Sequence, residues 1–338
     1  MFKEDSAAIQ NDLILCVANE VREVVRREAQ EAEFLAVQVD DTTDIGTQTQ
    51  CTIIIRYLRG SEPVERFVNF VNVSGKSNAH NIASVVQENL EEFLKVDGVI
   101  QHDKLVSQTY DGASVMSGAK GGVNKLIQDN YQLALFIHCL GHKLNLVLQK
   151  ASNGISDCQV FFATLDRLHS FFTRSPNRLA SLEKFAERRI TIQAPSRTRW
   201  TYRSRALNAL VEDYLYLVEF FMNITENRRD WDGHTIQSAL GFVSTMKEKS
   251  FVFVLILMQR IYKLSLQLFT LLQHSRVSIV APSVSVDRVM KTLADMQSRE
   301  VFEDIVLNVS RLLSNFSDKE PAEKCSKDDL GHFLLLHN

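Results

Sequence analysis

The sequence predicts an α/β fold: a mixed sheet built from three antiparallel strands, a helix, a strand, a helix and a strand, with one helix ahead of it and a long helical region behind. Three observations carry that prediction. β-Branched and aromatic runs at 34–40, 51–59 and 64–73 are separated by turn-forming stretches, as in a strand meander. Apolar residues before residue 30 and between 77 and 94 recur at helical spacing instead. Beyond His142 glycine becomes rare and strand signals fade.

The elements follow in order. Ile9, Leu13, Cys16, Val17, Val21, Val24 and Val25 make an amphipathic N-terminal helix over residues 1–30. Asp41 to Thr49 and Gly60-Ser61-Glu62-Pro63 separate the three strands of the meander. Ser77 or Asn78 caps a helix running to Leu94, with Ile82, Val85, Val86, Leu90 and Phe93 on its inner face. Lys104 to Thr109 is a fourth strand, Val123 to Gln128 a helix after a glycine loop, and Leu133 to Ile137 a fifth strand. Helices follow at 144–151, 157–172, 178–188 and 202–222, then long apolar stretches between 236 and 313. The domain organisation expected is a core over 31–205, a helical insertion over 206–320 and an irregular tail over 321–338, with Asn223 to Gly233 as a surface joint.

At 338 residues and 45% hydrophobic content the chain can bury a sizeable core. A net charge of −3 argues against wholesale binding to a polyanion, so any nucleic-acid contact must use a local patch. The five cysteines, at 16, 51, 139, 158 and 325, are odd in number and irregular in spacing, which suits a reducing compartment. The longest apolar run, Phe251 to Met258, is too short to span a bilayer, and no membrane partner is expected.

Candidate chemistry lies at strand ends. The run Phe34 to Val39 ends in Asp40 and Asp41, with Asp44 close behind, and the fourth strand ends at Tyr110-Asp111-Gly112. Hard Mg²⁺ or Mn²⁺ prefers carboxylate oxygens, and phosphoryl transfer uses such ions to hold the attacking and leaving oxygens. Asp40 and Asp111 are therefore the candidate metal carboxylates. Alternation puts Asp40 on the face of Phe34, Ala36 and Gln38, and Asp41 on the other. The plainer use of these acids is to cap turns, Asp41 and Asp44 after the first strand and Asp111 before Gly112. Cys139 and His142 make only half a zinc site, which neither His138 nor Cys158 completes, so no zinc is expected. Ser196 to Arg205 is a basic patch with interleaved aromatics. Arg197, Arg199 and Arg203 can fork onto phosphates and Trp200 can stack on an unpaired base; the alternative is a core tryptophan beside a solvated arginine face.

Taken in order, Asp40-Asp41-Thr42-Thr43, Thr109-Tyr110-Asp111-Gly112-Ala113-Ser114 and His138-Cys139-Leu140-Gly141-His142-Lys143-Leu144 resemble the hAT superfamily of DNA transposases, most of all the transposase-derived halves of MYM-type zinc-finger proteins. The resemblance runs over residues 30–225. It implies a ribonuclease H-like fold with a large helical insertion, Asp40 and Asp111 as ancestral metal carboxylates, and Mg²⁺ or Mn²⁺ as cofactor. It further implies that His142 touches DNA near the scissile phosphate, that Trp200 stacks on a flipped base, and that the protein is nuclear. The family's third carboxylate, a glutamate after the insertion in a Glu-Arg-x-Phe-Ser-like segment, has no visible counterpart: Glu300 and Glu303 lack that context. The expectation is a truncated or domesticated element that binds DNA or protein without catalysis. The competing readings are a metal-dependent nuclease with Glu300 as third carboxylate, and an interaction scaffold or homo-oligomer working through the helical region.

Overall fold

The structure is a computed structural model and describes residues 7–43, 48–75, 77–192, 200–273 and 280–316. The chain divides into two compact units, residues 1–154 with 265–289, and residues 155–264 with 290–338.

The first unit contains α1 (Ala7–Glu31), β1 (Leu35–Thr43), β2 (Thr49–Arg59), β3 (Glu62–Asn72), α2 (Ala79–Leu94), a small hairpin of β4 (Lys95–Val96) and β5 (Val99–Ile100), β6 (Leu105–Tyr110), α3 (Ser114–Ser117), α4 (Val123–Asn130), β7 (Leu135–His138) and α5 (Leu140–Asn153). Its five-stranded sheet has the order β3-β2-β1-β6-β7. The first three strands form an antiparallel meander, while β6 joins β1, and β7 joins β6, in parallel. This is the mixed α/β architecture that the periodicity predicts. Asn78 is the residue that caps α2, its side chain accepting from the Asn81 N–H at 2.9 Å. The β4–β5 hairpin was not foreseen, although Asp97-Gly98, both at positive φ, is the dipeptide that a tight hairpin favours.

One face of the sheet is the core. Leu35, Val37 and Val39 of β1 and Cys51, Ile53 and Ile55 of β2 alternate inward and meet Val25 and Ala29 of α1, Val86 and Leu90 of α2 and Ile127 of α4. On the other face Phe67 and Phe70 of β3 and Leu135 and Ile137 of β7 remain exposed. Glu28 fastens α1 to the meander. It accepts from the Tyr57 hydroxyl at 2.7 Å and pairs with Arg66 at 3.2 Å and Arg59 at 3.3 Å. The Tyr57 hydrogen bond, ahead of the two arginines, holds the Glu28 carboxyl below its ordinary range. Lys104 donates to the Gln30 carbonyl at 2.6 Å and so ties the end of α1 to the start of β6.

The second unit is helical: α6 (Ser156–Thr173), α7 (Pro176–Ala186), α8 (Trp200–Glu226), α9 (Gly233–Met246), part of α10 (Lys249–Leu272), part of α11 (Val280–Asp295) and α12 (Arg299–Ser314). Aromatic packing centres it. Phe221 of α8 lies 4.7 Å from Phe242 of α9 and 5.6 Å from Phe171 of α6, ring centre to ring centre. Because α6 and α7 share this core, the boundary between the two units falls at Gly154. The expected joint at 223–233 contains a single 3₁₀ turn, after which Asp232 caps α9 by accepting from the Thr235 N–H at 2.9 Å. Among the described residues one helix, Lys249–Leu272, is long and apolar enough by length and composition to cross a bilayer, with half of the relevant stretch buried. The expectation from Phe251 to Met258 alone was too narrow, since Gln259, Arg260 and Lys263 interrupt the apolar run but not the helix.

Two outcomes follow. Phe221→Ala, at a position with no exposure, should cost about 3–5 kcal/mol by chemical denaturation. Replacing Glu28 by Gln should destabilise the protein at neutral pH. Because the folded-state acidity of Glu28 is strengthened, that difference should be full above the ordinary carboxylate range and vanish as pH falls through the lowered folded value, measured as paired denaturation curves from pH 7 downward.

Candidate functional site

Two parallel strands bring the candidate acids to one end of the sheet. Gln38 of β1 is level with Thr109 of β6. Two residues further along that register Asp40, which shares the side of Ala36 and Gln38, comes level with Asp111, which lies just past the end of β6. Asp111 also serves its turn, its carboxylate accepting from the Ala113 N–H at 3.1 Å. The capping and the strand-tip readings of this residue are thus compatible.

Asp41 turns the other way, opposite Cys51 of β2. Burial, then the charges of Asp111 and Asp40, raise its carboxyl, and a hydrogen bond from the Cys51 thiol offsets part of the effect. The Cys51 thiol is in turn pushed up to about 12 by burial and by Asp41. Three carboxylates therefore lie within electrostatic reach of one another, where the sequence reading used Asp41 only as a turn cap. Alternation in a strand that runs to Thr43, three residues longer than expected, was the signal for Asp41.

His138 closes the same end from β7, level with Tyr110. Its ring lies against Gly112, where an added Cβ would stand 2.5 Å from Cε1 and 2.7 Å from Nε2. The ring packs between those of Phe136 and His142, with centroids 6.4 Å and 6.1 Å away. Burial, then His142 and Lys143, lower its pKa against the opposing pull of Asp111, and its buried Nε2 has no hydrogen-bond partner. The Cys139 N–H donates to the Tyr110 carbonyl at 2.9 Å and α5 starts at Leu140, which places His142 in the first turn of that helix.

The basic patch is only partly described. Arg197 and Arg199 lie outside the described residues, as does Asp44, and of Trp200 only its place at the start of α8 is given. Arg203 is a correction. It is 9% exposed, donates to the Tyr262 hydroxyl at 3.1 Å and lies 4.8 Å from the centre of the Phe162 ring. Its guanidinium is an internal tie between α8, α10 and α6, held by a hydrogen bond and a cation–π contact. Glu300 lies in the first turn of α12, and Glu303 pairs with Arg299 at 2.7 Å.

Among the described residues no three His, Cys, Asp or Glu side chains gather as a metal-holding group. The donors at the sheet end are nevertheless hard oxygens whose charges repel, and Mg²⁺ is commonly held by one or two carboxylates together with substrate phosphates. Asp40 and Asp111 are the residues that would hold a divalent ion in that mode, with a phosphate completing the set.

Gly112→Ala tests the packing of this end. With the His138 ring walled by Phe136 and His142, the new methyl forces a displacement that should cost about 1–3 kcal/mol in a thermal melt and move the His138 ring resonances by NMR.

Residues 2–122 match the family model described as the ZMYM1/FAM200, RNase-like domain (DUF4371). The match takes in α1, the meander, Asp40 and Asp111, and ends at the glycine that precedes α4. Over that stretch, about a third of the chain, the sequence is similar to a transposase-derived, hAT-like family of RNase-like domains.

Proposed function

We propose that this chain is a domesticated, transposase-derived element that holds DNA in the nucleus and no longer cuts it. The observation that carries the reading is the register of β1 on β6, which sets Asp40 level with Asp111 beside a helix start bearing His142. That is a place where a phosphate could meet a divalent ion. Asp40 and Asp111 are the ancestral carboxylates, and Mg²⁺ or Mn²⁺ is the cation they would take in the company of a phosphate. His142 would approach the backbone, Arg197 and Arg199 would fork onto phosphates, and Trp200 would stack on an unpaired base. Two carboxylates hold hydrated Mg²⁺ weakly, and neither Glu300 nor Glu303 stands in a context that supplies a third, which favours binding over catalysis.

The test pairs two measurements on the whole chain. Binding to a hairpin-ended or branched DNA, read by fluorescence anisotropy, should fall with salt. Arg197→Ala with Arg199→Ala should flatten the log–log salt slope by about 2, at roughly 0.9 per phosphate contact. The same DNA incubated with Mn²⁺ should stay intact. Cleavage abolished by Asp40→Ala would replace this reading with that of a working nuclease, and absence of any salt-sensitive binding would replace it with that of a protein scaffold.

A further inference from the structure

We propose that Phe67 and Phe70 form a stacking platform for an unpaired base of DNA, beside the phosphate held at Asp40 and Asp111. The proposal rests on the reading that this end of the sheet holds DNA, and it names the form of DNA that is taken. The two side chains are 54% and 57% exposed, and their rings lie 4.7 Å apart, centre to centre, at a tilt of 51°. Exposed aromatic faces of this kind are the surface on which bases of any sequence stack.

A break in the ladder puts the two rings together. In a regular strand, residues three positions apart face opposite sides of the sheet. In β3 the pairing passes from Asn69 with Ile53 to Phe67 with Ile54, so Val68 is an extra residue, and its side chain is buried. The bulge turns Phe67 onto the face of Phe70, which is how an inserted residue re-aims a side chain. That face is the one that bears Asp40. Phe70 is paired with Thr52, and Thr52 with Asp40, in a single cross-strand row. Two strand spacings of about 4.8 Å set Phe70 about 10 Å from Asp40 along that row, a gap that the phosphate, sugar and base of one nucleotide bridge.

The surroundings favour a base over a protein helix. A helix laid on a sheet needs apolar contact across several strands, whereas Gln38, Thr52, Arg56 and Thr109 stand in the middle strands on this side, with Ala36 and Ile54 among them. The aromatic pair is thus set at the rim of a largely polar face. Beside it the Glu65 carboxylate pairs with Arg56 at 3.0 Å and accepts from the Gln38 amide at 3.4 Å, which offsets its charge where a nucleotide would lie. The Thr52 hydroxyl, in the row between Phe70 and Asp40, is a hydrogen-bonding group for the edge of a stacked base.

The test compares two DNAs on the 338-residue chain by fluorescence anisotropy: a hairpin duplex with a short single-stranded extension, and the same hairpin without it. The extension should tighten binding about tenfold, the order expected of one stacked base. Phe67→Ala with Phe70→Ala should bring the ratio of the two affinities to about one, and Phe67→Tyr with Phe70→Tyr should keep it. Abasic sites in the extension should lower the ratio for the natural chain and leave the double alanine variant unmoved. A ratio that survives the alanine substitutions, or an abasic penalty that the alanine variant still shows, overturns the proposal and leaves the DNA-holding reading standing. An equal loss on both DNAs, the mark of a structural role, overturns it as well. Absence of binding to either DNA removes both readings together, and self-association that the alanine variant loses gives the aromatic pair to a second copy of the chain instead.

Discussion

The parallel pairing of β1 with β6 is the constraint on which the rest depends. The two strands are separated along the chain by the meander, α2 and the β4–β5 hairpin, and their hydrogen bonds set both the orientation and the level of every side chain at the sheet's end. A slip of one residue would send Asp40 to the core face and Val39 to solvent. The buried alternation of Leu35, Val37 and Val39 against α1, α2 and α4 prevents that slip, so the hydrophobic core fixes the electrostatics of the tip.

That tip is held under repulsion. Asp41, Asp40 and Asp111 share one end of the sheet, and Asp41 is partly relieved by the Cys51 thiol, whose own proton loss is made unfavourable by burial and by Asp41. Beside them burial, then His142 and Lys143, lower the pKa of His138, although Asp111 pulls the other way.

The sheet was legible in the sequence because its strands are long, β-branched and bounded by turn residues; helix limits drifted by a few positions where apolar spacing outran the cap, as at α5, which begins at Leu140 and not at Leu144. The acids were legible as strand tips, and the register supplied what sequence could not, namely which residue of β6 stands beside which residue of β1. Arg203 was misread for a reason of the same kind. In a row of arginines nothing local distinguishes one that points inward, and only Tyr262 and Phe162, 59 and 41 positions away in the chain, reveal it. The limit of the helical unit is not written in the sequence because α6 to α8 look alike as amphipathic helices, and what joins them is Phe171, Phe221 and Phe242 meeting in space.

One feature of the meander bears on how the protein survives in a crowded cell. β3 forms an outer rim of the sheet, and among the described residues no sixth strand pairs with its outer row of main-chain amides and carbonyls. Pro63 removes a donor from that row, Glu62, Glu65 and Arg66 put charge along it, and the register shift opposite Ile53 and Ile54 bends it. An incoming extended peptide would find an irregular, charged template there, which discourages the runaway strand addition that leads to fibrils.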